Sequence, residues 1–251
     1  MRSRTLLIGL AVISFVLVLI ARLPLSWVTG LMAPQARCES PSGSIWQGRC
    51  GALTLRIGGP DLPVGAVSWR LDRVALLRAH VAGEANAEGP MLLGHARFDA
   101  SAGGDIDVRD LDLVAPLDRR LLGMVPPNWT GRVKATVPRV TLRDGKLVTL
   151  AGTLEAHDVV AQGPAPDQFG SYALEFPATA DGAQAFPGKL RDLDGPVEVS
   201  GTFEVRPNQE WELNALVRAR PNATPQLAKL LEYLGPPDAQ GRRTFSAAGD
   251  F

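Results

Sequence analysis

Apolar and polar positions along the chain fall into two regimes. Residues 5 to 21 form one apolar run without a charge, whereas the rest of the chain alternates in short bursts. Leu53, Leu55 and Ile57 alternate with Thr54 and Arg56, and Val67, Trp69 and Leu71 alternate with Ser68 and Arg70. Period-two alternation puts one face of a strand in a core and the other in water. The strictest case sets Val197, Val199, Phe203 and Val205 against Glu198, Ser200, Thr202, Glu204 and Arg206. It returns through a turn at Pro207–Gln209 to Trp211, Leu213, Ala215 and Val217. Such a pair predicts an antiparallel sheet with one wet face.

Further strands are predicted at Ser44–Cys50, Met91–Ala100, Tyr172–Phe176 and Arg243–Ala247. Val133, Ala135 and Val137 lead through Pro138 to Val140 and Leu142. Asp144-Gly145, a favoured two-residue turn, then reverses the chain into Val148, Leu150 and Leu154. Within Asp105–Leu113 the apolar set switches from even to odd positions at Arg109-Asp110, which predicts a bulge or kink rather than one straight strand. Helical signals are short. One follows Asp72 with Val74 and Leu77 on one side, and another covers Pro116–Met124 with Leu117, Leu121 and Met124. A third starts at Thr224 and Pro225, carries Leu227, Leu230, Leu231 and Leu234, and stops at Gly235. These are too few for parallel crossovers, so the expected fold is mainly β: an elongated, strongly twisted antiparallel sheet, folded into a groove or a sandwich, with a few short helices.

The run Thr5–Ala21 is bracketed by Arg2 and Arg4 on one side and Arg22 on the other. At about 1.5 Å per helical residue it extends about 25 Å, near the lower limit for a hydrocarbon core of roughly 30 Å. A cleaved signal peptide is the competing reading, but Ala21 is followed by Arg22, Leu23 and Pro24 rather than by a small-x-small site. The expectation is an uncleaved transmembrane helix, with residues 1–4 cytoplasmic and the body on the far side. Residues 22–43, with Pro24, Gly30, Pro34 and Pro41, read as a juxtamembrane connector, and 44–251 as a periplasmic β-rich domain.

Composition narrows the functions. The 26 basic and 26 acidic residues cancel, so no global field attracts nucleic acid, and none is expected as a partner. Cys38 and Cys50 are the chain's two cysteines, and in an oxidising compartment they form a candidate disulfide; free thiols are the other reading. The nearest approach to a phosphate loop, Gly182 to Lys189, has the wrong glycine spacing, contains Pro187, and lacks Ser or Thr after the lysine. Asp105, Asp107, Asp110 and Asp112 lack the glycine and distal glutamate of a calcium loop and read as a solvated strand face. His80, His95 and His157 are scattered, and no nucleophile pairs with a base. Trp69 and Trp211 sit on apolar strand faces and read as packing residues. No cofactor, metal or catalytic residue is expected.

Several stretches together resemble one family. These are Ser44-Ile45-Trp46-Gln47-Gly48, Val67–Leu71, Asp192–Gly201, and the closing run from Leu230 through Gly235 and Gly241 to Phe251. The chain resembles protein N of the type II secretion system, the general secretion pathway of Gram-negative bacteria. That resemblance implies an accessory inner-membrane, single-pass subunit without enzymatic activity. It would contact other secretion subunits in the inner-membrane platform or outer-membrane pore and support export of folded periplasmic proteins. A more distant similarity to AsmA-like periplasmic proteins, whose curved sheets form apolar grooves, implies an alternative: a membrane-anchored lipid-binding groove.

Overall fold

A computed structural model describes residues 36–56, 61–118, 128–163, 166–179 and 182–250. The Thr5–Ala21 run, Ile57, and residues 119–124 of the helix expected over Pro116–Met124 lie outside them, while Pro116 itself ends a strand. Among the described residues thirteen strands pair antiparallel, each with its neighbours in sequence, in a single open sheet. They are β1 (Ala36–Gly43), β2 (Gln47–Leu55), β3 (Leu62–Leu71), β4 (His80–Glu88), β5 (Leu93–Ser101), β6 (Ile106–Pro116) and β7 (Trp129–Arg143). The second half comprises β8 (Lys146–Ala161), β9 (Asp167–Phe176), β10 (Phe186–Asp194), β11 (Val197–Val205), β12 (Glu210–Ala219) and β13 (Arg243–Asp250). Helix α1 (Arg73–Leu76) joins β3 to β4, and α2 (Pro225–Glu232) lies between β12 and β13. At about 4.8 Å between strands, the sheet measures about 60 Å along its arc.

Three departures from the expected elements have physical causes. The ladder begins at Ala36, so the last eight residues of the stretch read as connector pair with β2. Strand β4 was not expected because its inner row is Val81, Gly83, Ala85 and Ala87, whose small side chains give almost no hydrophobic alternation. Strand β10 was hidden by Gly188, which breaks its inner row between Phe186 and Leu190, and by Pro187 on the opposite face. Its Phe186-Pro187-Gly188-Lys189 start overlaps the poor phosphate-loop match, and its backbone is committed to ladders with β9 and β11. Gly188 is required there, since a Cβ would come within 2.9 Å of the Phe176 ring.

The expected bulge does form. Asp110 takes a left-handed backbone (φ 49°), and the β5–β6 register shifts between Arg97 and His95. Strands β6 and β7 keep one register throughout, so β7 switches its apolar set at the same level, through Pro138. The Asp144-Gly145 turn has φ of 49° and 72°, as a twist-matched hairpin requires. Helix α2 is capped by the Thr224 hydroxyl, which accepts from Leu227 N–H at 3.1 Å, with Pro225 at its first position. Leu227 and Leu231 are buried, whereas Leu230 faces outward.

The sheet rolls in its second half. Leu147 N–H donates to the Pro207 carbonyl at 3.0 Å, and Gln209 Nε2 to the Gly145 carbonyl at 3.1 Å. The β7–β8 tip therefore meets the β11–β12 tip, and Phe186 is sealed between them beside Leu147 and Val205. Toward the other end of the roll, α2 lays Leu227 and Leu231 on Val159, Phe169, Val197, Val199, Ala215 and Val217. By contrast, β4 and β5 contain no buried hydrophobic residue.

Candidate interaction surfaces

Cross-strand register defines one continuous inner face. It runs from Val67 and Trp69 through Ala85, Phe98, Val108, Ala135 and Leu154 to Leu213 and Ala247. In β8 to β12 the roll and α2 bury two stretches of this face, one around Phe186 and one beneath Leu227 and Leu231, whereas Leu154 stays 39 % exposed. In β4 to β6 no layer among the described residues covers this face, and it forms a shallow trough. Val197 and Val199 pack beneath α2, while Phe203 and Val205 pack in the cluster around Phe186. The alternation of β11 thus faces a closed core.

The outer face is covered with matched charges. Arg70 pairs with Glu84 at 2.8 Å, Arg97 with Asp110 at 3.0 Å, Arg191 with Glu175 at 2.6 Å and Arg218 with Glu198 at 2.5 Å. Asp107 accepts from both Arg109 (2.6 Å) and Arg139 (3.1 Å), and its side chain is only 16 % exposed. Burial opposes ionisation of Asp107, but the two guanidiniums outweigh it and hold its carboxyl below the usual range. Asp110 and Asp112 face other partners, Arg97 and His95, so the acidic set does not converge on a common point. Among the described residues no group of three or more His, Cys, Asp or Glu is arranged to hold a metal ion.

His80 lies 2.7 Å from Asp99 and His157 3.0 Å from Glu155. A cleft of about 600 Å³ is lined by Trp46, Arg70, Asp72, Arg73 and Glu84. Its polar groups are engaged locally: Asp72 caps α1 through Val74 N–H, Arg70 binds Glu84, and Arg73 lies over the Trp46 ring at 5.7 Å. Cys38 and Cys50 are joined across the β1–β2 pair, with Cα atoms 5.6 Å apart.

The stretches that carry the resemblance meet in space as structural clamps. Trp69 covers Gly48, where a Cβ would come within 2.6 Å of the ring, and its indole N–H donates to the Ile45 carbonyl at 2.9 Å. Trp211 covers Gly249 in the same way. Both tryptophans are half-buried. Gly195, at the β10–β11 turn, approaches Gly170 so closely that a Cβ would lie 2.5 Å from the Gly170 Cα. Arg220 fastens this corner, donating to Asp192 at 2.6 Å and to the Gly195 carbonyl at 2.9 Å, while Asp192 accepts from Val199 N–H at 3.0 Å. No sequence pattern pointed to Arg220, because its partners lie 25 and 28 positions away.

A family model described as type II secretion system (T2SS), protein N, matches residues 34–246. The chain belongs to that family. The matched range begins just before β1 and ends within β13, so the protein N family region and the sheet are nearly the same stretch. No curated protein and no solved structure matches the chain. The protein N family is an accessory secretion component rather than a known enzyme family. What its geometry offers is therefore surface: a charged outer face, an open apolar trough over β4 to β6, and two sheet edges.

Proposed function

We propose that this protein is an inner-membrane, single-pass component of the type II secretion machinery. In this reading the sheet stands in the periplasm and supports export of folded proteins across the outer membrane through contacts with other secretion subunits. The observation that carries the reading is the protein N family match across almost the entire sheet. The apolar run at residues 5–21 supports the membrane attachment. Export is tested by deleting the gene and measuring where secreted enzymes accumulate. Retention in the periplasm is expected, and unchanged secretion would remove the export role. A photo-crosslinker at Leu77, which is 86 % exposed, reports whether the neighbour is a secretion subunit.

A second reading is favoured by one specific feature, the inner face over β4 to β6, where Phe98 and Val108 are half-buried and no layer among the described residues covers them. A trough of this kind suits an acyl chain. Phospholipid copurifying with the protein, and lost when Phe98→Glu is introduced, would move the weight to lipid binding.

A further inference from the structure

The two outer edges of the sheet are built differently. Strand β1 contains Pro41, which has no N–H to offer, a left-handed backbone at Ser40 (φ 53°), and charges at Arg37 and Glu39. It is also tied inward by the Cys38–Cys50 bond. Prolines, kinks and charges of this kind stop a further strand from adding to a sheet. Strand β13 has none in its interior. It holds unbroken register with β12, from Arg243 opposite Val217 to Asp250 opposite Glu210. None of its residues has positive φ, it contains no proline, and its charges are confined to Arg243 and Asp250 at its two ends. Among the described residues no strand pairs with its outer side. A straight, uncharged edge of this length is a template for another strand.

We propose that β13 is a dimerisation edge, at which two copies of the chain pair β13 antiparallel to β13 about a two-fold axis. The strand is self-complementary in charge. With Ser246 opposite its own copy, Arg242 of each copy, one position before the strand, stands opposite Asp250 of the other on the same face, so opposite charges flank both ends of an uncharged centre. The blocked β1 edge forbids a β13-to-β1 contact that would propagate into a filament, which leaves the contact that closes on itself. Opposed residues in an antiparallel pair share a face, and a two-fold axis normal to the sheet keeps each residue on its own face. Paired residue numbers must therefore sum to an even number. The registers of greatest overlap then place either Ser246 or Ala247 opposite its own copy. In both, Phe245, 39 % exposed, gains neighbours from the inner row of the second sheet. This pairing is a property of the purified chain and does not depend on the secretion role.

The test uses the full chain in detergent, with its mass measured by light scattering and single cysteines introduced by Ser246→Cys or Ala247→Cys. Opposed Cα atoms in an antiparallel pair are about 4.5–5.5 Å apart, within disulfide reach. One of the two variants is expected to oxidise to a covalent dimer. Ala247→Lys, which sets two like charges together at the centre, should weaken the dimer by at least about tenfold. Ser42→Lys on β1 should leave it unchanged. If Ala247→Lys fails to fold by circular dichroism, Ser246→Lys on the same edge replaces it. A monomeric wild-type chain overturns the proposal, as does a dimer indifferent to lysine on β13, or neither cysteine variant cross-linking to itself.

Discussion

The side-chain amide of Gln209 donates to the Gly145 carbonyl at 3.1 Å, joining two hairpin tips 64 positions apart. This contact, with Leu147 N–H on the Pro207 carbonyl, turns the second half of a flat meander into a roll. Without it, the apolar rows of β8 and β11 would lie on an open sheet three strands apart.

Gln209 also takes a left-handed backbone (φ 70°), which glycine adopts without penalty. Gln209→Ala loses the hydrogen bond and keeps the strain, costing about 1 kcal/mol. Gln209→Gly loses the bond but relieves the strain, so it should be the milder of the two in urea unfolding. The opposite ranking would contradict this account of the tip.

Phe186 is fully buried in the roll, whereas Leu77 is 86 % exposed. Phe186→Ala is expected to cost about 3–5 kcal/mol and Leu77→Ala less than about 0.5 kcal/mol. Chemical denaturation of the two variants measures the gap, and comparable losses would mean that the roll is not the stabilising core.

The depressed carboxyl of Asp107 links stability to pH. A carboxylate whose folded value lies below its unfolded value of about 3.9 contributes stability above that pH. The contribution is lost as pH falls through the folded value. Asp107→Asn should therefore flatten the acid limb of the wild-type stability curve, compared by urea unfolding between about pH 2 and pH 6. Superimposable acid limbs would dismiss the Arg109 and Arg139 contacts as a source of stability.

Burial, with a smaller contribution from Asp192, pushes the Tyr172 phenol well up from its ordinary value, and its hydroxyl donates to the Phe169 carbonyl at 2.7 Å. The chain has two tyrosines, so Tyr233→Phe leaves Tyr172 alone to be titrated by absorbance near the phenolate band. Its midpoint should lie above the ordinary value of about 10. Because the folded value is raised, the contribution to stability is present below about pH 10 and is lost as pH rises toward the folded value. A midpoint near 10 would mean that the α2 side of the roll admits water.

Replacing Cys38 and Cys50 together with alanine opens a loop of 12 positions and is expected to cost about 3 kcal/mol. Proteolysis should then cut first in β1, which has lost its covalent tie to β2 and, among the described residues, pairs with no other strand. An unchanged urea midpoint would show that the β1–β2 ladder holds without the bond.

Much of the ladder was legible wherever large apolar residues alternate with polar ones, as in β3, β7, β11 and β12. Even the local irregularity at Arg109-Asp110 could be read, because a bulge moves the apolar set from one parity to the other and leaves that switch in the sequence. Strand β4 could not be read in this way because glycine and alanine fill most of its inner row, and β10 because Gly188 interrupts its inner row between Phe186 and Leu190 while Pro187 stands on the other face. The Arg220 clamp escaped for another reason: nothing local distinguishes an arginine that binds a remote corner from one in water.

By itself, the sequence determined local geometry: turn types, the α2 cap, and the apolar side of those strands in which large apolar residues alternate with polar ones. Those follow from neighbours within a few positions. Tertiary structure alone decided which apolar rows are sealed and which stay open. Val197 and Phe98 sit in similar alternating strands, yet Val197 is buried under α2 and Phe98 lines an open trough. The difference arises because the sheet rolls only where Gln209 and Pro207 reach the tip of a distant hairpin, a meeting that no local pattern encodes.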